Sequence, residues 1–142
     1  MRSVLVGVDC SDSARRAVVF ARDLAVATDA ELVLAHVIPW SPYSFNTPEE
    51  NEVRHRRRQE ELAAAREQVL EPAAAIVGDT VAFSTVARHG DRAQLLCSLA
   101  REHDATHIAV GRTGESRLRR ALFGSVPSEL TQISGVPVTV VP

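Results

Sequence analysis

The chain contains no lysine: all 16 of its cationic side chains are arginine. That excludes Schiff-base chemistry, a lysine general base and the lysine of a P-loop. Its two cysteines, Cys10 and Cys97, cannot build a disulfide framework and point to a reducing compartment. The 5 histidines are scattered, without ligand spacing or a His/Cys cluster, which argues against a metal site. No apolar run is long enough to span a bilayer, and Met1-Arg2 leads straight into a strand-like segment rather than a leader, so no membrane association and a cytoplasmic location are expected. A formal charge of −2 disfavours a general nucleic-acid binder, which is usually clearly basic. No residue set reads as a nucleophile paired with a base, so no catalytic residues are assigned.

What is present reads as one domain over residues 1–142, with 45% apolar and 24% charged residues, an ordinary globular balance. Continuous apolar runs suited to buried parallel strands lie at 3–8, 32–37, 81–87, 106–110 and 138–141. Helical spacing separates them. Ser11, Asp12 and Ser13 supply N-cap candidates for the first helix, Thr47 with Pro48 and Glu50 forms a capping box for a long Arg/Glu-rich helix, and Asp91 caps a third. Pro72 is expected to end or kink the long helix. Alternation of strand and helix implies an α/β fold, an open five-stranded parallel sheet with helices on both faces. The run Arg56-Arg57-Arg58 followed by Glu60-Glu61 reads as a solvated helix face.

The most specific stretch follows the fourth strand. Gly111, Gly114 and Gly124-Ser125 stand at the spacing Gly-x2-Gly-x9-Gly-Ser. Glycines let main-chain N–H groups approach a bulky anion. Ser125 then caps a helix beginning at Val126, whose first N–H groups and positive dipole end can hold a phosphate. Between Gly111 and Ser125, Arg112, Arg117, Arg119 and Arg120 outnumber the single Glu115, a local excess that favours a polyphosphate. Arg112, beside the first glycine, is the best placed to touch it. Other nucleotide folds fail on their working residues. Gly-x-Gly-x-x-Gly is absent after the first strand, where Asp9-Cys10-Ser11 stands, and so is a Walker A motif. A phosphoacceptor receiver domain would want an aspartate ending strand three and a lysine near strand five; Arg88-His89-Gly90 occupies the first place and no lysine exists.

The glycine-rich spacing resembles the nucleotide-binding signature of the universal stress protein family. That resemblance implies the strand order 3-2-1-4-5, which brings Asp9 and Gly111 to one crevice between strands one and four. It also implies that Asp9, in a turn similar to the family's Val-Asp-Gly-Ser, contacts the nucleoside. Main-chain groups near Val37 would meet adenine, and Val110, Gly111, Arg112, Gly114, Gly124, Ser125 and Val126 would border the ligand. Cys10 stands where the family has glycine, which could narrow the entry or redirect the backbone. The implied function is an ATP-binding, nucleotide-responsive regulatory or protective protein, with Mg2+ on the ATP and at most weak hydrolysis. The last strand is expected to pair with its copy in a homodimer. The competing reading is a homodimeric interaction scaffold of the same fold that binds no nucleotide.

Overall fold

Residues Ser3–Gly7 form the central strand, β1, and both of its faces are buried: Val4 and Val6 look to one side and Leu5 to the other. Around it the computed structural model, which describes residues 2–40, 48–113 and 125–142, places the remaining elements. In chain order they are α1 (Asp12–Thr28), β2 (Glu31–Ile38), α2 (Pro48–Ala65), a π-helical turn (Arg66–Leu70), α3 (Glu71–Val77), β3 (Phe83–His89), α4 (Arg92–Glu102), β4 (Ala105–Gly111), α5 (Val126–Ile133) and β5 (Val138–Val141). All strand pairs are parallel and the order is β3-β2-β1-β4-β5, as the family resemblance implied. Residues 114–124, with Gly114 and Gly124, and Thr47 of the expected capping box lie outside the described residues.

The alternation of β1 and β2 divides the core into two layers. Val4, Val6, Leu32 and Leu34 meet Ala17, Val18, Ala21 and Ala25 of α1 together with Val69, Leu70, Ala73 and Val77. On the opposite face Leu5, Val33, Ala35, Ile108 and Val110 meet Ala93, Leu96, Leu99 and Ala100 of α4 and Leu130 of α5. The alanines of α1 recur at three- and four-residue spacing and let that helix lie close to the sheet. Ser11 caps it, accepting from the Ala14 N–H at 3.1 Å.

One expectation is narrowed and another corrected. Of the two outcomes expected at Pro72, an end or a kink, the end is the one not seen: the helix is distorted locally and continues. The Arg66–Leu70 turn widens ahead of it, the Glu71 N–H donating to the Arg66 carbonyl five residues back, and α3 continues with Pro72 in its first turn. The wider turn accommodates the missing N–H and the ring, which would otherwise press on the carbonyl of Gln68. That carbonyl accepts the Cys10 thiol at 3.9 Å. Strand β3 runs from Phe83 to His89 rather than over 81–87, because it takes its register from β2, Leu32 facing Phe83 through Ile38 facing His89. As an edge strand it is partly exposed, and its polar end is held by an ion pair of Arg88 with Glu102 at 2.9 Å and by a polar contact of His89 with Glu61 at 2.9 Å.

Under the other edge, His107 of β4 sits between Phe20 of α1 and Thr139 of β5, its Nε2 2.6 Å from Thr139 Oγ1. Burial pushes its imidazole below the ordinary histidine range. The folded state therefore favours the neutral ring, while the unfolded chain takes up a proton near the ordinary value of 6.5. Stability is full above that pH and falls as the pH drops below it, by up to about 1.4 kcal/mol per pH unit until the folded-state value is passed. Urea unfolding at pH 7.5 and 5.5 should show this loss in the wild type and a smaller one in His107→Gln. An equal pH dependence in both proteins would remove His107 as its source.

Candidate functional site

The carboxyl ends of β1, β2, β3 and β4 and the N-terminal ends of α1, α4 and α5 surround a cavity of about 970 Å3. It lies where the winding reverses between β1 and β4, the usual place for a ligand in an open α/β sheet. Its floor is made of small and apolar groups, Gly7, Ala35, Leu96 and Val110. Gly7 makes a close fit there, since a Cβ would sit 3.1 Å from side-chain methyl groups of both Leu96 and Val110.

On the β1 side, Asp9 accepts the Ser11 N–H at 2.8 Å through Oδ1, closing a turn just before α1. Its second oxygen has no partner among the described residues. Asp9 is thus not the cap of α1, a task Ser11 performs. Cys10 does not line the cavity and its φ is not positive, so the departure from glycine neither narrows the entry nor strains the chain. Beside Asp9, His36 Nδ1 lies 2.6 Å from the Val8 carbonyl; since a carbonyl only accepts, Nδ1 carries the proton. Val37 is buried and borders the cavity next to it.

The opposite wall begins at the end of β4. A Cβ on Gly111 would lie 2.7 Å from the Ala14 amide nitrogen and from the Ser13 carbonyl carbon, and closer still to Ser13 Oγ. Its φ is not in the left-handed region, so glycine serves the approach of β4 to α1 rather than a turn. Ser13, only 1% exposed, then ties the outgoing chain down. Its hydroxyl donates to the Thr113 carbonyl at 2.8 Å, and the Thr113 N–H points back at it from 3.1 Å. The Arg112 N–H donates to Val141 at 2.7 Å and its side chain borders the cavity. Across the gap Ser125 caps α5, its Oγ accepting from the Ser128 N–H at 3.4 Å. Pro127 has no N–H, so the Val126 N–H is the donor left open in that first turn.

The structure therefore brings Asp9, Val37, Val110, Gly111, Arg112, Ser125 and Val126 together on one cavity. It also adds residues that the sequence did not single out for it: the side chains of His36, Trp40 and Arg92, and the Ser13–Thr113 tie beside it. Arg92 was hidden by lying next to Asp91, whose carboxylate caps α4 by accepting the Gln94 N–H at 3.0 Å. The carboxylates of Asp9 and Asp91 are each engaged by a main-chain N–H, whereas the guanidinium groups of Arg92 and Arg112 have no partner among the described residues. With Glu129 these walls carry three carboxylates against two guanidinium groups, so an anion would be drawn by Arg92, Arg112 and the open Val126 N–H locally and not by the net charge of the lining.

Comparison with known proteins agrees with the fold. A model of the universal stress protein family matches residues 1–142. The universal stress protein YxiE of Bacillus subtilis (strain 168) is 29% identical over 151 residues, spanning 97% of each chain. The universal stress protein UspA from Lactobacillus plantarum superposes with a TM-score of 0.81 at 24% identity, over 99% of this chain and 97% of its own. A universal stress protein solved in complex with cAMP superposes with a TM-score of 0.64 at 27% identity, over 99% and 95% of the two chains. With its strand order and a family match from end to end, the chain belongs to the universal stress protein family.

Proposed function

We propose that the cavity binds an adenine nucleotide, ATP carrying Mg2+, and that the chain is a cytoplasmic, nucleotide-responsive regulatory or protective protein of the stress response. The observation that carries this reading is the meeting, on one cavity, of two arginines whose guanidinium groups have no partner among the described residues, the open N–H at the start of α5 and the turn-held Asp9. Phosphates would lie against Gly111, Arg112, Ser125 and Val126, where main-chain donors and a cation face the same space. By the resemblance of their spacing to the family's signature, Gly114 and Gly124 would border the ligand as well. Asp9 would accept hydrogen bonds from the sugar, and Val37 and Val110 would border the rest of the ligand. The relative solved with cAMP supports an adenine nucleotide as the ligand class. Among the described residues no three His, Cys, Asp or Glu side chains are grouped to hold a metal, so Mg2+ would arrive on the phosphates. Hydrolysis would be weak at best. His36 Nδ1 is committed to Val8, and among the described lining residues no histidine is paired with a carboxylate as a dedicated water activator would be. In assembly we propose a homodimer through β5.

Denaturing the purified protein and identifying released nucleotide tests the ligand class, and calorimetric titration with ATP and AMP tests the site. Asp9→Ala should weaken both ligands alike, by about 1.5–3 kcal/mol, since a charge-assisted bond to the sugar is common to them. Asp9→Asn keeps an oxygen for the Ser11 N–H and should retain part of the affinity. No released nucleotide, together with no heat of binding, would leave the scaffold reading. Equal affinities for wild type and Asp9→Ala would take Asp9 out of the site.

A further inference from the structure

Helix α2 carries an inward stripe unlike that of an ordinary surface helix. Its partly or fully buried positions include Arg54, Arg58, Glu61, Leu62 and Ala65, at three- and four-residue spacing. Such a stripe is normally apolar, yet here it begins with charged residues. The explanation lies at the mouth of the cavity. Trp40 leaves β2 just after Pro39, lines the cavity and is 54% exposed. Its ring stacks on His89, the last residue of β3, with centroids 5.2 Å apart and planes 24° from parallel. The Arg58 guanidinium carbon lies 4.8 Å from the centre of the same indole. One turn further along α2, Glu61 Oε2 is 2.9 Å from His89 Nε2, and the imidazole is 8% exposed. Helix α2 thus grips the Trp40–His89 pair from two successive turns, by a cation over an aromatic ring and by a carboxylate on the imidazole.

We propose that Trp40 is a ligand-contacting wall of the cavity beyond Val37 and Pro39, and that Arg58, Glu61 and His89 are positioning residues that hold the indole in place. The proposal rests on the nucleotide reading of this cavity. A flat apolar ring at the end of a cavity with an apolar floor suits the planar base of a nucleotide. An exposed tryptophan just past a strand end would otherwise lose rotamer freedom when a ligand arrived. Held beforehand by its neighbours, it gives its contact without that loss. The charges of Arg58 and Glu61 on the stripe of α2 are accounted for by these contacts.

Trp40 is the single tryptophan of the chain, so its emission reads this place alone. AMP is the probe, titrated by calorimetry and by fluorescence into the full-length protein. Binding should change Trp40 emission, and Trp40→Ala should weaken AMP by about tenfold, with Trp40→Phe recovering part of the loss. His89→Ala and Arg58→Ala should each weaken AMP several-fold in the wild-type background and leave affinity unchanged in the Trp40→Ala background. A loss that persists without Trp40 would mean that these residues merely support the fold, and would overturn their positioning role. In the ligand-free protein, both variants should make Trp40 more accessible to acrylamide quenching; unchanged quenching overturns the clamp whatever the ligand does. Wild-type binding that Trp40→Ala leaves intact overturns the wall alone. Failure of the wild type to bind AMP or ATP overturns the nucleotide reading and the assignment of Trp40 with it.

Discussion

Replacing Gly111 with alanine is expected to cost on the order of 3 kcal/mol of stability and to abolish nucleotide binding. Two of the three atoms that the new methyl group meets are main chain, and the third is a buried serine hydroxyl held by hydrogen bonds. They are the Ala14 amide, the Ser13 carbonyl carbon and the Ser13 hydroxyl, all in the first turn of α1. That turn cannot swing aside, because Ser11 caps it and Ala14 and Ala17 are packed against the sheet. Either β4 or the helix start must move, and the paired bonds between Ser13 and Thr113 break with the movement. Both walls of the proposed site shift together, Asp9 on one side and Arg112 on the other. Thermal unfolding should show a midpoint lowered on the order of 10 °C, and calorimetry should show no heat on adding ATP. A variant with the wild-type midpoint and affinity would show that α1 and β4 can part without penalty.

The second large effect concerns assembly. The Ile108 and Arg112 N–H groups donate to the carbonyls of Pro137 and Val141, so by strand alternation the main-chain groups of Val138 and Val140 point away from β4, along the open edge of the sheet. Val138 packs on the core beneath α5, and a charge there would unfold the strand rather than test the edge. Val140 shares that face and is 37% exposed, with Ile133 of α5 49% exposed. Two copies pairing through β5 about a two-fold axis would cover Val140 twice, and Pro137 and Pro142 would stop further strands from adding. The wild type should run as a dimer in light scattering at micromolar concentration, and Val140→Asp as a folded monomer. A monomeric wild type, or a dimer indifferent to the aspartate, would rule this interface out.

The parts of the fold legible in the sequence are those set by local rules. Apolar runs marked the buried strands β1, β2 and β4, and Ser11, Asp91 and Ser125 cap their helices as their positions suggest. Strand order came from the family resemblance and not from the residues. What was not legible depends on partners distant in sequence. The register of β3 is decided by β2, and the widened turn before Pro72 depends on how a whole helix settles on the sheet. Gly111 was readable as a residue that permits close approach, but not that helix α1 is what approaches. Trp40 and His89 carry no motif at all; they meet because β2 and β3 end side by side, Ile38 opposite His89.

The ties across the centre of the sheet bear on how the chain reaches this state. Ser3 Oγ donates to His103 and Ser13 to Thr113, each closing a loop of 100 residues. Until β4 arrives, β1 can pair only with β2, and the edge formed by Val4, Leu5 and Val6 stays open. That apolar edge stays open during synthesis of the middle of the chain, and late pairing over so long a loop is slow and prone to association. The cavity lacks a wall for the same interval. A ligand bound there stabilises only the finished sheet and does nothing for the half-built one.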